Sequence, residues 1–442
     1  MPFPQSFLDE LMARSDIVDV VGSYVQLTRK GANLFGLCPF HSEKTGSFSV
    51  SPDKQIYYCF GCKRGGGVIN FIMEEENLSF PDAVRFLAKR AGMEVPEEDG
   101  DREAGRRRQR LLDLNRDAAR FYYQMLQQPE GRAVQEYLDR RKIRRATAVN
   151  FGLGASLDAW DALILAMTKK GYMKSELLEA GLAVQNRNGG LYDKFRNRLI
   201  FPVIDVRGDV VAFGGRVLDK SEPKYMNSQE TPVYSKRRVL YGLNLAKKSK
   251  RSNIILCEGN IDVVTLHQAG FDNAVASMGT ALTVEQTRLL SRFTKELVLC
   301  YDNDNAGKIA TERALEILNN SEFSVKVLQL PRRRTEDGEL VKQDADDFIK
   351  LQGKDAFEAL LTGSENGIEF RMAQAAGKYD LSSDEARVAY CEEVSALLAA
   401  LANPVEREIY TTRAAETAKI TPEAMRLEVQ RAFKHRKLYW YR

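Results

Sequence analysis

Four residues with soft or borderline donor atoms stand in two close pairs, Cys38-Pro-Phe-His41 and, seventeen residues on, Cys59-Phe-Gly-Cys62. Three thiolates and one imidazole at that spacing suit a closed tetrahedral Zn²⁺ site with no position left for water, so one structural zinc is expected. The residues between the pairs read as a hairpin: Phe48 and Val50 alternate with serines, Pro52-Asp53-Lys54 turns, and Ile56-Tyr57-Tyr58 returns. Gly36 and Gly61 fall where the ligand-bearing turns must be tight. Around them Arg29, Lys30, Lys44, Lys54, Lys63 and Arg64, with Tyr57 and Phe60 expected to be exposed, suit single-stranded nucleic acid.

A second set of residues is acidic. Ile254-Ile255-Leu256-Cys257 is a continuous apolar run that ends in Glu258-Gly259, and a helical pattern carrying Asp262, Val263 and Leu266 follows it. Leu297–Tyr301 is another such run and ends in Asp302-Asn303-Asp304-Asn305-Ala306-Gly307; beyond a further strand at Val325–Leu328 lies Asp344-Ala345-Asp346-Asp347. Continuous apolar runs separated by helical patterns read as parallel strands buried on both faces, and ligands of such sheets sit at the carboxyl ends of the strands. Carboxylates brought within ~4 Å repel by about 4 kcal/mol per pair at an effective dielectric of 20, so convergence requires cations. Oxygen-only donors select Mg²⁺ or Mn²⁺, whose common use is phosphoryl chemistry. Taken alone, Asp302-x-Asp304 reads equally as a turn and helix cap.

These residues must be positioned by several folded parts. The 442 residues correspond to about three domains; 44% are hydrophobic and 29% charged, which excludes disorder by composition. No apolar run reaches the ~20 residues of a membrane span, and MPFPQSFLDELMARSD is neither basic nor apolar enough for a signal peptide, so a soluble cytoplasmic protein is expected. The net charge of +4 is unevenly spread: 13 basic against 7 acidic residues over 101–150, 13 against 6 over 191–250, and 11 against 16 over 252–350. A basic surface beside an acidic one suits a polyanion brought to a carboxylate-held metal. Three blocks are expected: 1 to about 98, ending in the acidic stretch VPEEDGDREAG; about 106–350, mixed helix and strand; and about 351–442, helices only. In the last, Ser383-Asp384 caps a helix with Val388, Cys391, Val394, Leu398 and Leu401 on one stripe, and Thr421-Pro422 starts another. Cys257, Cys300 and Cys391 read as buried thiols. No Walker A loop is present, since Gly307-Lys308 lacks the upstream glycine and the following hydroxyl.

Glu258-Gly259, Asp302-x-Asp304-x-x-Gly307 and Asp344-x-Asp346 resemble a TOPRIM domain, the acidic module shared by bacterial primases, topoisomerases and some nucleases. With the Cys38/His41/Cys59/Cys62 ribbon ahead of it, and with FRNRLIFPV (195–203), FGGRVL (213–218) and PKYMNSQETPVYSK (223–236) between, the chain resembles the bacterial DnaG-type primases over most of its length. The resemblance implies a multidomain α+β and α/β fold. Its parts are a zinc-ribbon template-binding domain (1–98), a linker (99–110), a basic mixed α+β subdomain (111–250), a Rossmann-like parallel TOPRIM sheet with helices (251–350) and a helical C-terminal subdomain (351–442).

The same resemblance implies a DNA-directed RNA polymerase that makes short RNA primers on single-stranded DNA. Glu258, Asp302 and Asp304 would be catalytic and would hold Mg²⁺ or Mn²⁺, with Asp262, Asp344 and Asp346 beside them. Arg141, Arg196, Arg198, Arg216, Lys224, Tyr225, Asn227 and Lys236 would line the surface for template, RNA–DNA heteroduplex and ribonucleoside triphosphates. The family's helicase-docking module is expected to be missing, because the chain stops at KHRKLYWYR soon after the helices that close the core; a monomer is expected. Two other readings stay open: a strand-cleaving TOPRIM enzyme using one of Tyr225, Tyr234 or Tyr241, and a non-catalytic zinc-ribbon single-strand binder.

Overall fold

The computed structural model describes residues 3–439 except 42, 44, 77, 96–98, 220, 320, 322, 335–338 and 402. Lys44 and part of the stretch 95–105 thus lie outside the described residues. The chain divides into two compact units.

The first unit comprises Met1–Ser252, Glu258–Lys295 and Glu316–Phe323. It opens with helices Gln5–Arg14 and Ile17–Gly22, the second capped by Asp16, whose carboxylate accepts from the Val18 and Asp19 amides. A five-stranded antiparallel meander follows in chain order: Thr28–Lys30, Asn33–Gly36, Phe48–Ser51, Ile56–Cys59 and Gly65–Gly66. Helices Val68–Glu75 and Phe80–Arg90 cover it. The hairpin forms where the alternation places it, with Val50 opposite Tyr57 and Phe48 opposite Cys59. Tyr57, expected at the surface, is only 1% exposed and stacks on Phe48 at 5.3 Å with Phe71 against its edge. Successive strand residues face opposite sides, so burying Tyr57 turns Ile56 and Tyr58 outward; Phe60, beyond the strand, stays 57% exposed.

Residues 99–110, expected as a linker, are helical: they begin the helix Asp99–Gln127. The run Arg106-Arg107-Arg108-Gln109-Arg110 consists of good helix formers, and Arg107 and Arg110 pair with Glu179 and Glu176. This helix packs on a four-stranded antiparallel sheet ordered Tyr225–Asn227, Val210–Val217, Arg198–Ile204, Gly154–Ser156. The approach is close enough that a Cβ on Gly154 would sit 2.6 Å from Cβ of Tyr122. Helix Asn260–Ala269, strand Ala274–Ala276 and helix Val284–Leu290 also belong to this unit; Thr283 and Gln286 form a capping box on the last.

The second unit comprises Asn253–Cys257, Glu296–Leu315 and Ser324–Arg442. Strands Asn253–Cys257, Glu296–Cys300 and Ser324–Val327 run parallel, and Glu365–Asn366 adds antiparallel to the third. Ile254–Cys257 and Leu297–Cys300 are fully buried, as continuous apolar runs require. Beyond the sheet come helices Ala345–Thr362, broken at Gly353, then Gly367–Lys378, Asp384–Leu398, Pro404–Ala418 and Pro422–Tyr439. Ser383 and Thr421 cap the third and fifth of these helices through the Ala386 and Ala424 amides. Cys391, Val394 and Leu398 are buried with Tyr390, Tyr410, Ala414 and Met425, whereas Val388 is exposed at the start of its stripe. No described helix is long and apolar enough to cross a membrane.

Candidate functional site

The zinc ligands converge. One donor atom from each of Cys38, His41, Cys59 and Cys62 lies within 4.8 Å of the others. Cys38 Sγ is 3.8 Å from Cys62 Sγ, and Cys59 Sγ is 3.7 Å from His41 Nδ1. Donors about 2.3 Å from a common tetrahedral centre are separated by about 3.8 Å, so the residues fit one Zn²⁺. Nδ1 faces the sulfurs while Nε2 lies 3.4 Å from Glu43 Oε2. Glu43 also accepts from the Cys38 amide at 2.8 Å, the Ser47 amide at 2.9 Å and the Ser47 hydroxyl. Burial pushes its carboxyl up, but the hydrogen bonds from Ser47 and Cys38 outweigh this and hold it below the usual carboxylate range.

Glu43 thus orients an imidazole and a thiolate turn together, a role the sequence reading missed although the residue stands two places after His41. A Cβ on Gly61 would lie 2.5 Å from His41 Nε2, which explains glycine there. Glu43→Ala is expected to weaken zinc binding by about 10- to 100-fold. Competition with a metallochromic chelator measures this, and unaltered retention would remove the role.

The second unit gathers an acidic group. Cys257 and Cys300 are register partners, so both strands end at one level, with Glu258 following the first and Asp302 two residues beyond the second. Asp304 accepts from the Gly307 amide at 2.8 Å and so caps helix Asn305–Leu318. Lys342 Nζ lies 2.9 Å from Asp304 Oδ2 and 3.4 Å from Asp302 Oδ2. The Gly307 amide and Lys342 hold the Asp304 carboxyl below its ordinary value, and Asp304 in turn raises Lys342.

Carboxylate oxygens of Asp344, Asp346 and Asp347 lie within 4.8 Å of one another. Burial, then the charges of Asp347, Asp346 and Asp302, raise Asp344 despite its capping bond from the Asp347 amide. Asp346 is fully buried and pairs with Lys350. Crowded carboxylates, some of them paired with Lys342 and Lys350, have the donor chemistry of a hard divalent cation. The cap reading holds for Asp304 and Asp344. Lys342 and Asp347 are members that sequence reasoning did not single out, although both lie in Val-Lys-Gln-Asp-Ala-Asp-Asp beside the recognised pair.

In the first unit Glu258 is half-buried, and Asp262 is buried in the first turn of its helix. A Cβ on Gly259 would fall 2.7 Å from Asp262 Oδ2, so glycine admits that carboxylate. Asn227 Nδ2 donates to the Met278 carbonyl at 3.2 Å.

The basic residues divide by exposure. Lys224 is exposed, and Arg141, Arg196, Tyr225 and Lys236 are half-buried. Arg216 is 5% exposed; it donates to Tyr225 Oη at 2.6 Å and lies over the Tyr137 and Tyr225 rings, with Arg141 also over Tyr137. Arg198, 6% exposed, donates to the Pro223 carbonyl at 2.9 Å. Both are buried, on opposite faces of the four-stranded sheet, since Arg198 pairs with Val217 and Arg216 with Leu199, and Arg198 braces the turn before Lys224. Lys194, not singled out from sequence, is driven to lower pKa by burial and by the nearby charge of Lys236.

Family models match in the order of these parts: CHC2 zinc finger over 3–103, the N-terminal domain of the DNA primase catalytic core over 121–247, Toprim-like over 255–349, and the DnaB-helicase binding domain of primase over 368–423. The DNA primase of Clostridium acetobutylicum is 41% identical over 425 residues, covering 95% of this chain and 69% of that one. The DNA primase of Halalkalibacterium halodurans is 38% identical over 440 residues, covering 98% and 72%. Among solved structures, the Aquifex aeolicus primase (zinc binding and RNA polymerase domains) matches with TM-score 0.59 and 31% identity, covering 95% of this chain and 98% of that one. The DnaG primase catalytic domain bound to single-stranded DNA matches with TM-score 0.61 and 32% identity, covering 71% and 99%.

The fold class read from the sequence holds: zinc ribbon, mixed α/β middle, Toprim parallel sheet and helical C-terminal part. The expected absence of a helicase-docking module does not hold, because the match over 368–423 falls on helices read as the end of the core. Amphipathic patterning shows that these helices bury a common stripe. It does not distinguish helices that close a domain from helices that also dock a partner.

Proposed function

The chain belongs to the DnaG-type DNA primases, DNA-directed RNA polymerases that make short RNA primers on single-stranded DNA, and on that premise we propose how its residues divide the work. The division is a template-binding ribbon (1–98), a helical connection (99–110), a basic subdomain (111–250), a catalytic Toprim part (251–350) and helices (351–442) that dock the replicative helicase. Glu258, Asp302 and Asp304 are the catalytic carboxylates, and with Asp262, Asp344 and Asp346 they would hold Mg²⁺ or Mn²⁺. Such ions, when bound, polarise the attacking hydroxyl and screen the triphosphate. The observation that carries this reading is the aspartate group at the ends of the parallel strands, with Asp304 and Asp344 held in place as helix caps.

Arg141, Arg196, Arg216, Lys224, Tyr225, Asn227 and Lys236 hold template, heteroduplex and incoming nucleotides. Tyr225 and Tyr137 fix the Arg216 guanidinium, so little side-chain entropy is lost on meeting a phosphate. Arg198 is proposed to bind with them, and it also holds the turn that presents Lys224. A 3′-hydroxyl then attacks the α-phosphorus, the bond to the bridging oxygen breaks, and pyrophosphate leaves. Phosphoryl transfer rests on positioning and charge stabilisation, so no side-chain base is required, and Glu258 is the candidate acceptor for the hydroxyl proton. The site of action is the cytoplasmic replication fork.

The test is ribonucleotide incorporation on a single-stranded template, lost in carboxylate variants that still bind DNA. Lys342 occupies the place of a counter-ion on Asp302 and Asp304. Lys342→Ala is expected to lower the divalent-ion concentration giving half-maximal priming, with a stability change under ~1 kcal/mol for so exposed a pair. A titration of priming against Mg²⁺ measures it, and a raised requirement would contradict competition.

A further inference from the structure

Trp160 is 66% exposed, on the loop before helix Ala162–Lys169, and its setting differs from that of a scattered surface hydrophobe. The loop is held at several points. The Asp193 amide donates to the Trp160 carbonyl at 2.6 Å, and the buried Asp193 carboxylate accepts from the Leu163 and Ile164 amides at 2.7 and 3.0 Å. The Asn197 amide donates to the Leu157 carbonyl at 3.0 Å. One face of the indole is taken: the Arg196 guanidinium carbon lies 4.1 Å from the ring centroid, and Tyr192 meets the ring at 78°. Arg196 is anchored in turn by a 3.1 Å bond from Nη1 to the Asp193 carbonyl. With Arg196 over the ring and two thirds of the residue exposed, much of the indole meets solvent.

A rigid aromatic face beside a guanidinium is what an unpaired nucleotide requires, the base stacking and the phosphate meeting the charge. We propose that Trp160, clamped by Arg196, is the platform on which a base of the single-stranded template stacks. This rests on the reading that Arg196, Lys224 and Lys236 form the template face. Stacking on an indole is tolerant of sequence, so the platform grips any unpaired base without selecting one.

The full chain, zinc-loaded, is titrated with a short fluorescent oligo-dT without added Mg²⁺. Trp160→Ala is expected to weaken binding about 5- to 150-fold and Trp160→Phe less, with the slope of affinity against salt unchanged because no charge is removed. In a chain carrying Trp440→Phe, where Trp160 is the remaining tryptophan, oligo-dT is expected to quench the emission. Unchanged affinity in Trp160→Ala together with no quench overturns the platform. If Lys224→Ala still weakens binding then, the template face survives; if neither variant matters, both readings fail. Should Trp160→Ala unfold, the quench in the Trp160-containing chain decides alone.

Discussion

Asp302→Ala and Asp304→Ala are each expected to reduce primer synthesis by on the order of 10²–10³-fold or more, since each removes a fixed charge where phosphoryl transfer depends on charge stabilisation. The two positions differ in their structural cost. Asp304 caps helix Asn305–Leu318 through the Gly307 amide, so its alanine variant also loses about 1 kcal/mol of stability. Asp304→Asn separates the effects, because an asparagine oxygen accepts the same amide bond while bringing no charge to a cation. Its melting temperature should stay near that of the parent while incorporation of labelled ribonucleotides stays lost. Asp302 stands two residues before that cap and beside Lys342, so Asp302→Ala tests the charge more directly. Full incorporation by Asp304→Asn would make that carboxylate a cap alone. Full incorporation by both alanine variants would remove the proposed acidic site altogether.

Removal of zinc is expected to have the larger structural effect. Structural zinc sites of this donor type supply on the order of 10–16 kcal/mol of apparent binding free energy at neutral pH, which exceeds the usual stability of a whole small domain. Without the ion, Cys38, His41, Cys59 and Cys62 have no reason to stay within 4.8 Å, and Glu43 loses the imidazole it orients. The apolar core of Phe48, Tyr57 and Phe71 with the flanking helices then remains the main restraint on the first 95 residues. Chelation, or Cys59→Ala, should open this segment to protease and abolish priming, while the melting transition of the remaining chain persists. Metal analysis should find one zinc per chain before and none after. Cys391→Ala is the control: that thiol is buried among the C-terminal helices and belongs to no candidate metal group among the described residues, so zinc content and priming should be unchanged. Resistance of the zinc-free ribbon to protease would show that the apolar core suffices and the metal is not structural.

Much of this protein is written locally in its residues, and the physical reason is that ligand spacing and apolar periodicity are properties of short segments. Cys38-x-x-His41 and Cys59-x-x-Cys62 specify a closed metal site whatever surrounds them. The runs ending in Glu258 and Asp302 specify buried parallel strands with carboxylates at their exits. What the tertiary structure decided is which way a side chain faces and what meets it. Pairing register turned Tyr57 inward against Phe48, the fold set buried Arg198 against the Pro223 carbonyl before Lys224, and the turn at Ser47 brought Glu43 onto His41. Lys342 is only a charge in a polar stretch until the fold sets it between Asp302 and Asp304, and Trp160 is only an exposed indole until Arg196 lies across it. The last two, like the place of Arg198, depend on contacts between residues tens of positions apart, and no local pattern encodes which of the possible partners arrives.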